Sequence, residues 1–117
     1  MGHPVPPDEP DIGECPDCCE KLPCSLNCRF TVPDETPYTG ILEPREDKPC
    51  EFVGDLFDGP GNFVSMYLTF CKDDGDTEII CGPPLAFPCR GVIINNNHCW
   101  PWIDVVSTGG CHYEVWP

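Results

Sequence analysis

Basic residues are scarce in this sequence. Six lysines and arginines stand against twenty aspartates and glutamates, which gives a formal net charge of −14. A protein that binds a nucleic-acid backbone needs clustered Lys and Arg side chains, and the six basic residues here are scattered along the chain. The composition therefore argues against nucleic-acid binding and against contact with anionic membranes, while it is compatible with divalent cations.

Long apolar runs are also missing. No stretch approaches the roughly 20 apolar residues that a membrane-spanning helix needs, so we expect no membrane insertion. The first residues, Met1 to Pro7, have neither the basic start nor the apolar core of a secretory signal. Because the cysteine content predicts export, we expect that a signal has been removed or that Met1 is not the natural start.

The sequence also lacks a recognisable catalytic constellation. None of its three serines lies in a nucleophile-elbow motif. His98 and His112 each adjoin a cysteine that we expect to be oxidised and therefore not nucleophilic. We predict that the protein is not an enzyme.

Cysteine, by contrast, is abundant. Eleven cysteines in 117 residues are typical of a small disulfide scaffold, which needs cross-links because its core is small. Disulfides persist where thiols oxidise, so we predict an extracellular or cell-surface protein. An odd total leaves at least one thiol that is either buried and inert or joined to another subunit. The candidate disulfide residues are Cys15, Cys18, Cys19, Cys24, Cys28, Cys50, Cys71, Cys81, Cys89, Cys99 and Cys111.

Zinc competes with disulfides for some of these cysteines. The spacing of Cys15-Pro16-Asp17-Cys18 is that of a zinc knuckle, but a structural zinc site takes its second ligand pair from about a dozen or more residues away, and the next cysteines are much closer. His98-Cys99 and Cys111-His112 could supply ligands, although neighbours on a strand point to opposite faces. We therefore favour disulfides and expect no metal site at these cysteines.

From Leu22 onward, the apolar residues follow the period of β-strands. The run from Ser25 to Val32 alternates, and the run from Asn62 to Cys71 is apolar on one face and places Cys71 on the other. Asp74-Gly75 predicts a tight turn into an antiparallel partner at residues 77–81. Weaker strand patterns cover residues 38–42, 50–57, 90–95, 102–107 and 111–116. Seven to eight short strands predict an all-β antiparallel sandwich, jelly roll or open barrel over residues 21–117.

Residues 1–20 predict a different structure. They carry six acidic residues, no basic residue and five prolines, a composition that cannot bury a core and that favours an extended arm. Contact with its own domain or with a neighbouring molecule would be needed to hold such an arm. The candidate assembly residues of the arm are Pro4, Val5, Pro6, Pro7, Pro10 and Ile12.

Two further sites are weaker candidates. Asp73, Asp74 and Asp76 place carboxylates around one turn, where calcium could bind, but their spacing is not that of a twelve-residue calcium loop, and we favour a plain acidic hairpin. Trp100-Pro101-Trp102 could form an aromatic ligand platform, although Trp in a β protein lies more often in a core or interface.

The ends of the β domain resemble a known group of proteins. Cys15-Pro16-Asp17-Cys18-Cys19, Leu22-Pro23 and the strand from Ser25 are similar to the start of uncharacterised cysteine-rich β proteins of planctomycete bacteria. Cys99-Trp100-Pro101-Trp102-Ile103 and the segment from Cys111 to Val115 are similar to their ends. The Pro-rich arm and the acidic loops depart from that pattern. The resemblance implies an exported all-β fold and no particular activity.

We therefore predict an extracellular structural subunit of a fibre or surface layer. Its arm and strand edges would join copies of the chain into a homopolymer, because an unpaired edge accepts an extended segment through main-chain hydrogen bonds. The alternative is a monomeric secreted binding module, such as an inhibitor or a glycan- or protein-binding domain. Attached glycans are a further expectation, although Asn97-His98-Cys99 matches only the rare cysteine form of an acceptor motif.

Overall fold

The computed structural model describes residues 17–73, 75–82, 92–94 and 99–117, and it confirms the predicted all-β fold. Eight antiparallel strands form one sheet, which curls into a nearly closed barrel and is preceded by a short 3-10 turn. The 3-10 turn η1 spans Asp17–Lys21, and the strands are β1 (Leu26–Thr31), β2 (Tyr38–Arg45), β3 (Lys48–Phe57), β4 (Phe63–Lys72), β5 (Asp76–Gly82), β6 (Val92–Ile94), β7 (Ile103–Val106) and β8 (His112–Trp116). Their order in the sheet is β6-β5-β4-β3-β2-β1-β8-β7. Within the described residues, no helix has the length and apolar character that a membrane crossing requires.

Within the described residues, the observed strands agree with the predicted ones to within one residue at each end, except that β2 and β3 extend further into their shared hairpin. Positions 90, 91 and 95 of the predicted strand 90–95 lie outside the described residues. β2 continues to Arg45, β3 begins at Lys48, and the two residues between them form the turn. The added residues are exposed on both faces. Apolar alternation therefore cannot detect them, since alternation reports burial on one face and not the hydrogen bonds of a ladder.

The core lies on the inner face of the curled sheet. Alternate residues of β1 and β4 point inward and are almost fully buried. Two aromatic contacts join neighbouring strands across this core: the ring centroids of Phe30 and Tyr113 are 4.9 Å apart, and those of Phe52 and Phe70 are 5.7 Å apart in an edge-on arrangement. Because burying one such side chain contributes roughly 1.5–3 kcal/mol, the long strands hold together mainly by apolar burial.

Two glycines bring β2 and β3 unusually close together. A Cβ atom added at Gly54 would lie 2.1 Å from the carbonyl oxygen of Ile41, and one added at Gly40 would lie 2.5 Å from that of Asp55. No larger residue fits at either position without a backbone shift. Glycines inside strands commonly permit a sharp bend of the sheet, so this pair is where the sheet can curl toward a barrel.

The described part of the predicted arm does not continue as an extended segment. Asp17–Lys21 turn into η1, and Cys18 and Cys19 within it are buried against the domain, because both are tied by disulfides to later parts of the chain. The candidate assembly residues Pro4, Val5, Pro6, Pro7, Pro10 and Ile12 lie outside the described residues.

Candidate functional site

Four cysteine sulfurs meet beside η1. Cys18 and Cys19 come from η1 itself, Cys71 from the end of β4, and Cys99 from the segment before β7. Their Sγ atoms all lie within 4.8 Å of one another. Cys18, Cys19 and Cys99 are buried and Cys71 is half-buried. We refer to these four residues as the sulfur cluster.

Disulfides run through this cluster. Cys18 is bonded to Cys99, and Cys19 is bonded to Cys50 at the start of β3. Cys71 is also disulfide-bonded. A five-residue 3-10 turn has little stability of its own, so these bonds attach η1 to the sheet. They confirm that the protein is rich in disulfides.

Cys71 joins the cluster because of a β-bulge. Strict alternation along β4 predicts that Cys71 faces outward with Phe63 and Tyr67, and this prediction is wrong. The register between β4 and β5 shifts by one residue between Thr69 and Lys72, and Cys71 adopts a positive φ of 57°. A bulge places two residues opposite one and redirects the side chain. The Cys71 sulfur therefore turns toward the other three sulfurs.

The sulfurs of different disulfides are in van der Waals contact. Cys71 Sγ lies 3.5 Å from Cys99 Sγ and 3.8 Å from Cys18 Sγ. It is therefore almost equally far from both atoms of the Cys18–Cys99 bond and lies to the side of that bond. Thiol–disulfide exchange proceeds by attack of a thiolate on one sulfur while the other leaves, which is favoured along the bond axis. The packing is thus unfavourable for exchange between these disulfides.

Three of the predicted disulfide cysteines carry free thiols instead: Cys24, Cys28 and Cys81. Cys28 points into the core, where burial, with the charge of Glu114 as a smaller cause, raises the pKa of its thiol. Burial also raises the pKa of Cys81, whose sulfur is hydrogen-bonded to Tyr113. Cys24 is exposed. The structure therefore supplies a buried thiol, Cys28, which is one of the two alternatives that the odd cysteine count left open, and a bridge to another subunit stays a prediction.

A charged network lies on the outer face of β1, β8 and β7. Arg29 donates two hydrogen bonds to Glu114, from Nε to Oε1 at 2.8 Å and from Nη2 to Oε2 at 3.0 Å. On the same face, His112 Nε2 lies 2.5 Å from Asp104 Oδ1. Asp104, His112 and Glu114 are close enough to share a metal ion, but both Glu114 oxygens already accept hydrogen bonds from Arg29. The network is best described as a brace that connects β7 to β1 through β8.

The turn between β4 and β5 does not gather its carboxylates around one point in the described residues. Asp73 is exposed, Asp76 is half-buried, and Asp74 lies outside the described residues. Glu78, which follows on β5, pairs with Lys72 Nζ at 3.0 Å. This ion pair neutralises one of the nearby acids. Calcium at Asp73, Asp74 and Asp76 stays a prediction.

The proposed tryptophan platform is mostly not on the surface. Trp100 is only 9% exposed and belongs to the core, and the adjacent Pro101 is also buried. Trp102 is half-buried. A ligand could therefore not stack on both rings. Of the remaining candidates, Cys15, Cys89 and His98 lie outside the described residues.

The two edges of the sheet present apolar side chains to solvent. In the described part of the chain, β6 is hydrogen-bonded only to β5, and β7 only to β8. Among the large apolar residues that are exposed, Val106 of β7 and Ile93 of β6 have the highest exposed fractions, 63% and 51%. Both side chains are on the outer face of strands that, among the described residues, have a hydrogen-bonded neighbour on one side only. We refer to β6 and β7 as the open edges.

Comparisons with known proteins add no relative. No protein-family model, curated protein or solved structure matches the chain. The resemblance to exported β proteins of planctomycete bacteria stays a prediction. What the geometry defines is a disulfide-stabilised, curled β domain with two open edges.

Proposed function

We propose that this chain is an extracellular structural subunit of a fibre or surface assembly, and that copies of it join through the open edges and the N-terminal arm. The observation that carries the proposal is that Val106 and Ile93, two of the exposed large apolar side chains among the described residues, lie on the two strands that end the described sheet. An exposed apolar edge favours pairing with another chain, and monomeric proteins usually protect such edges.

The two open edges are different surfaces. β6 has three residues and β7 has four. A contact between β6 of one copy and β7 of the next is therefore heterologous, and it would repeat along a filament unless the rotation closed a ring. The charged network supports β7 for this role, because it connects the edge strand to the interior of the sheet.

The proline pattern of the arm suits addition to one edge. In an extended chain, the N–H and C=O groups of alternate residues point to the same side. Pro4, Pro6, Pro10 and Pro16 would all lie on one side, and Pro7 is the one exception. That side lacks four donors, whereas the other keeps donors at positions 3, 5, 9, 11, 13 and 15. Such an arm would pair with an edge through one side only, which is how proline is tolerated in edge strands.

The disulfides support the extracellular part of the proposal, since they persist in oxidising compartments. The exposed Cys24 thiol offers a second means of joining copies. An exposed thiol in such a compartment pairs readily with another thiol, so a fraction of the assembly would be covalent. We expect that fraction to disappear on reduction.

Edge substitutions test the proposal. Val106→Lys and Ile93→Lys place a charge on each open edge and should abolish assembly, as measured by sedimentation velocity and electron microscopy over a range of concentrations. Ile41→Lys is the matched control, because Ile41 is 48% exposed but lies on β2 in the middle of the sheet. Deletion of residues 1–14, which keeps Cys15, should weaken assembly as well.

Two results would contradict the proposal. The first is a native chain that stays monomeric at every concentration, which would favour the secreted binding module instead. The second is an Ile41→Lys variant that loses assembly as completely as the edge variants, since general surface charge and not the edges would then control association.

A further inference from the structure

We propose that the sulfur cluster is also a metal site: in the reduced chain, Cys18, Cys19, Cys71 and Cys99 bind one Zn²⁺, or a similar thiophilic divalent cation, as a tetrathiolate. This proposal goes beyond the structural role proposed above. It is independent of the open edges and of the arm, so the two proposals can fail separately.

The distances between the sulfurs carry the inference. Zinc binds four thiolates at about 2.3 Å in a tetrahedron, so the sulfurs are about 3.8 Å apart. In the cluster, Cys71 Sγ lies 3.8 Å from Cys18, 3.7 Å from Cys19 and 3.5 Å from Cys99, and Cys19 Sγ lies 3.6 Å from Cys99. Four of the six sulfur–sulfur distances are thus close to the length that a tetrahedral site requires, with the sheet in its present form.

The other two sulfur–sulfur distances, from Cys18 to Cys19 and from Cys18 to Cys99, need little change in the backbone. The Sγ atoms of Cys18 and Cys19 are already within 4.8 Å of each other. Cys18 and Cys99 are bonded, and their Cα atoms are 5.8 Å apart. Breaking that bond would allow the two sulfurs to separate through side-chain rotation.

The bulge in β4 is a second, independent observation. A non-glycine residue with positive φ is uncommon and strained, and such residues often occur at functional sites. At Cys71 this backbone conformation turns the sulfur inward to complete the set of four.

The chemistry requires a reductant. A phosphine and one water molecule convert each disulfide into two thiols and leave the phosphine as its oxide. Reduction of Cys18–Cys99, of Cys19–Cys50 and of the bond at Cys71 yields the four cluster thiols, together with the Cys50 thiol and one other. Zn²⁺ then replaces the four cluster protons, which are released to solvent. Zinc would hold η1, β4 and the segment before β7 together in the reduced chain.

Cobalt titration of the reduced full-length chain tests the site. Under anaerobic conditions with a phosphine reductant, Co²⁺ should give the intense visible bands of a tetrahedral complex and a thiolate-to-metal charge-transfer band. The bands should saturate at one equivalent, and added Zn²⁺ should remove them. Cys71→Ser should lose the tetrathiolate spectrum, whereas Cys24→Ser, the control at an exposed free thiol, should retain it.

Alkylation followed by mass spectrometry locates the ligands without relying on a folded variant. With zinc bound to the reduced native chain, Cys18, Cys19, Cys71 and Cys99 should be protected and Cys24 should react. The proposal is overturned if no tetrahedral bands form, if Cys24→Ser removes them as Cys71→Ser does, or if zinc protects none of the four cluster cysteines.

Discussion

Two regions of the domain differ in what holds them in place: the sulfur cluster beside η1 and the open edges β6 and β7. Around the cluster, disulfides attach the short 3-10 turn η1 to β3 and to the segment before β7. At the edges, strands of three and four residues have only one neighbour each among the described strands. The long strands between the two regions rely on apolar burial.

This difference indicates how a small domain distributes its stability. Cross-links contribute most where the chain would otherwise have large freedom, because they restrict the unfolded state. An edge that remains open contributes little to the domain's own stability but offers main-chain groups to a partner. We therefore expect substitutions at the cluster to change folding and substitutions at the edges to change association.

The largest expected effect comes from breaking the cluster. Cys18→Ser with Cys99→Ser removes a cross-link between residues 81 positions apart, which should lower the free energy of unfolding by about 4 kcal/mol. Urea denaturation monitored by circular dichroism measures this free energy of unfolding. Cys24→Ser, at an exposed thiol, should change stability by less than about 0.5 kcal/mol. Equal stability of the double variant and the native protein would show that the cross-link does not hold η1.

A smaller effect is expected at the charged network, which supports the β7 edge. Glu114→Gln removes the carboxylate that accepts two hydrogen bonds from Arg29. The free energy of unfolding should fall by about 1–2 kcal/mol, because the pair is shielded from solvent: Glu114 is only 5% exposed and Arg29 is 24% exposed. Amide hydrogen exchange should become faster in β7 than in β3. Glu51→Gln is the control, since its partners Arg45 and Lys48 are 44% and 52% exposed and ion pairs with such exposed groups contribute little. Unchanged exchange in β7 would contradict the brace.

The smallest expected effect on stability is at the free thiols, where reactivity is the measurement. In the native protein at pH 8, iodoacetamide should modify the exposed Cys24 first and Cys81 more slowly. Cys28 should react only after unfolding, because it is buried and because its raised pKa lowers the fraction of reactive thiolate. Rapid modification of native Cys28 would show that the core opens more readily than its packing indicates.

Much of the fold could be predicted because apolar alternation reports one buried face. The runs around Phe30 and Met66 therefore mark β1 and β4. The sulfur cluster could not be predicted, because its membership depends on the register of many strands and on a bulge that reverses alternation at Cys71. Local spacing indicates Cys15 and Cys18 as a zinc-ligand pair and Cys99 as a possible further ligand, but nothing in the spacing indicates Cys71, which joins the cluster from a distant segment.

The sheet order has a consequence for biosynthesis. β1 lies between β2 and β8. During translation β1 can therefore pair with β2 first, and its second neighbour becomes available only when the last strand, β8, has been synthesised. Cys50 leaves the ribosome well before Cys99, which allows Cys19–Cys50 to form while Cys18 still lacks its partner. A nascent chain arrested before Cys99 would therefore retain Cys18 as a thiol beside a completed Cys19–Cys50 disulfide.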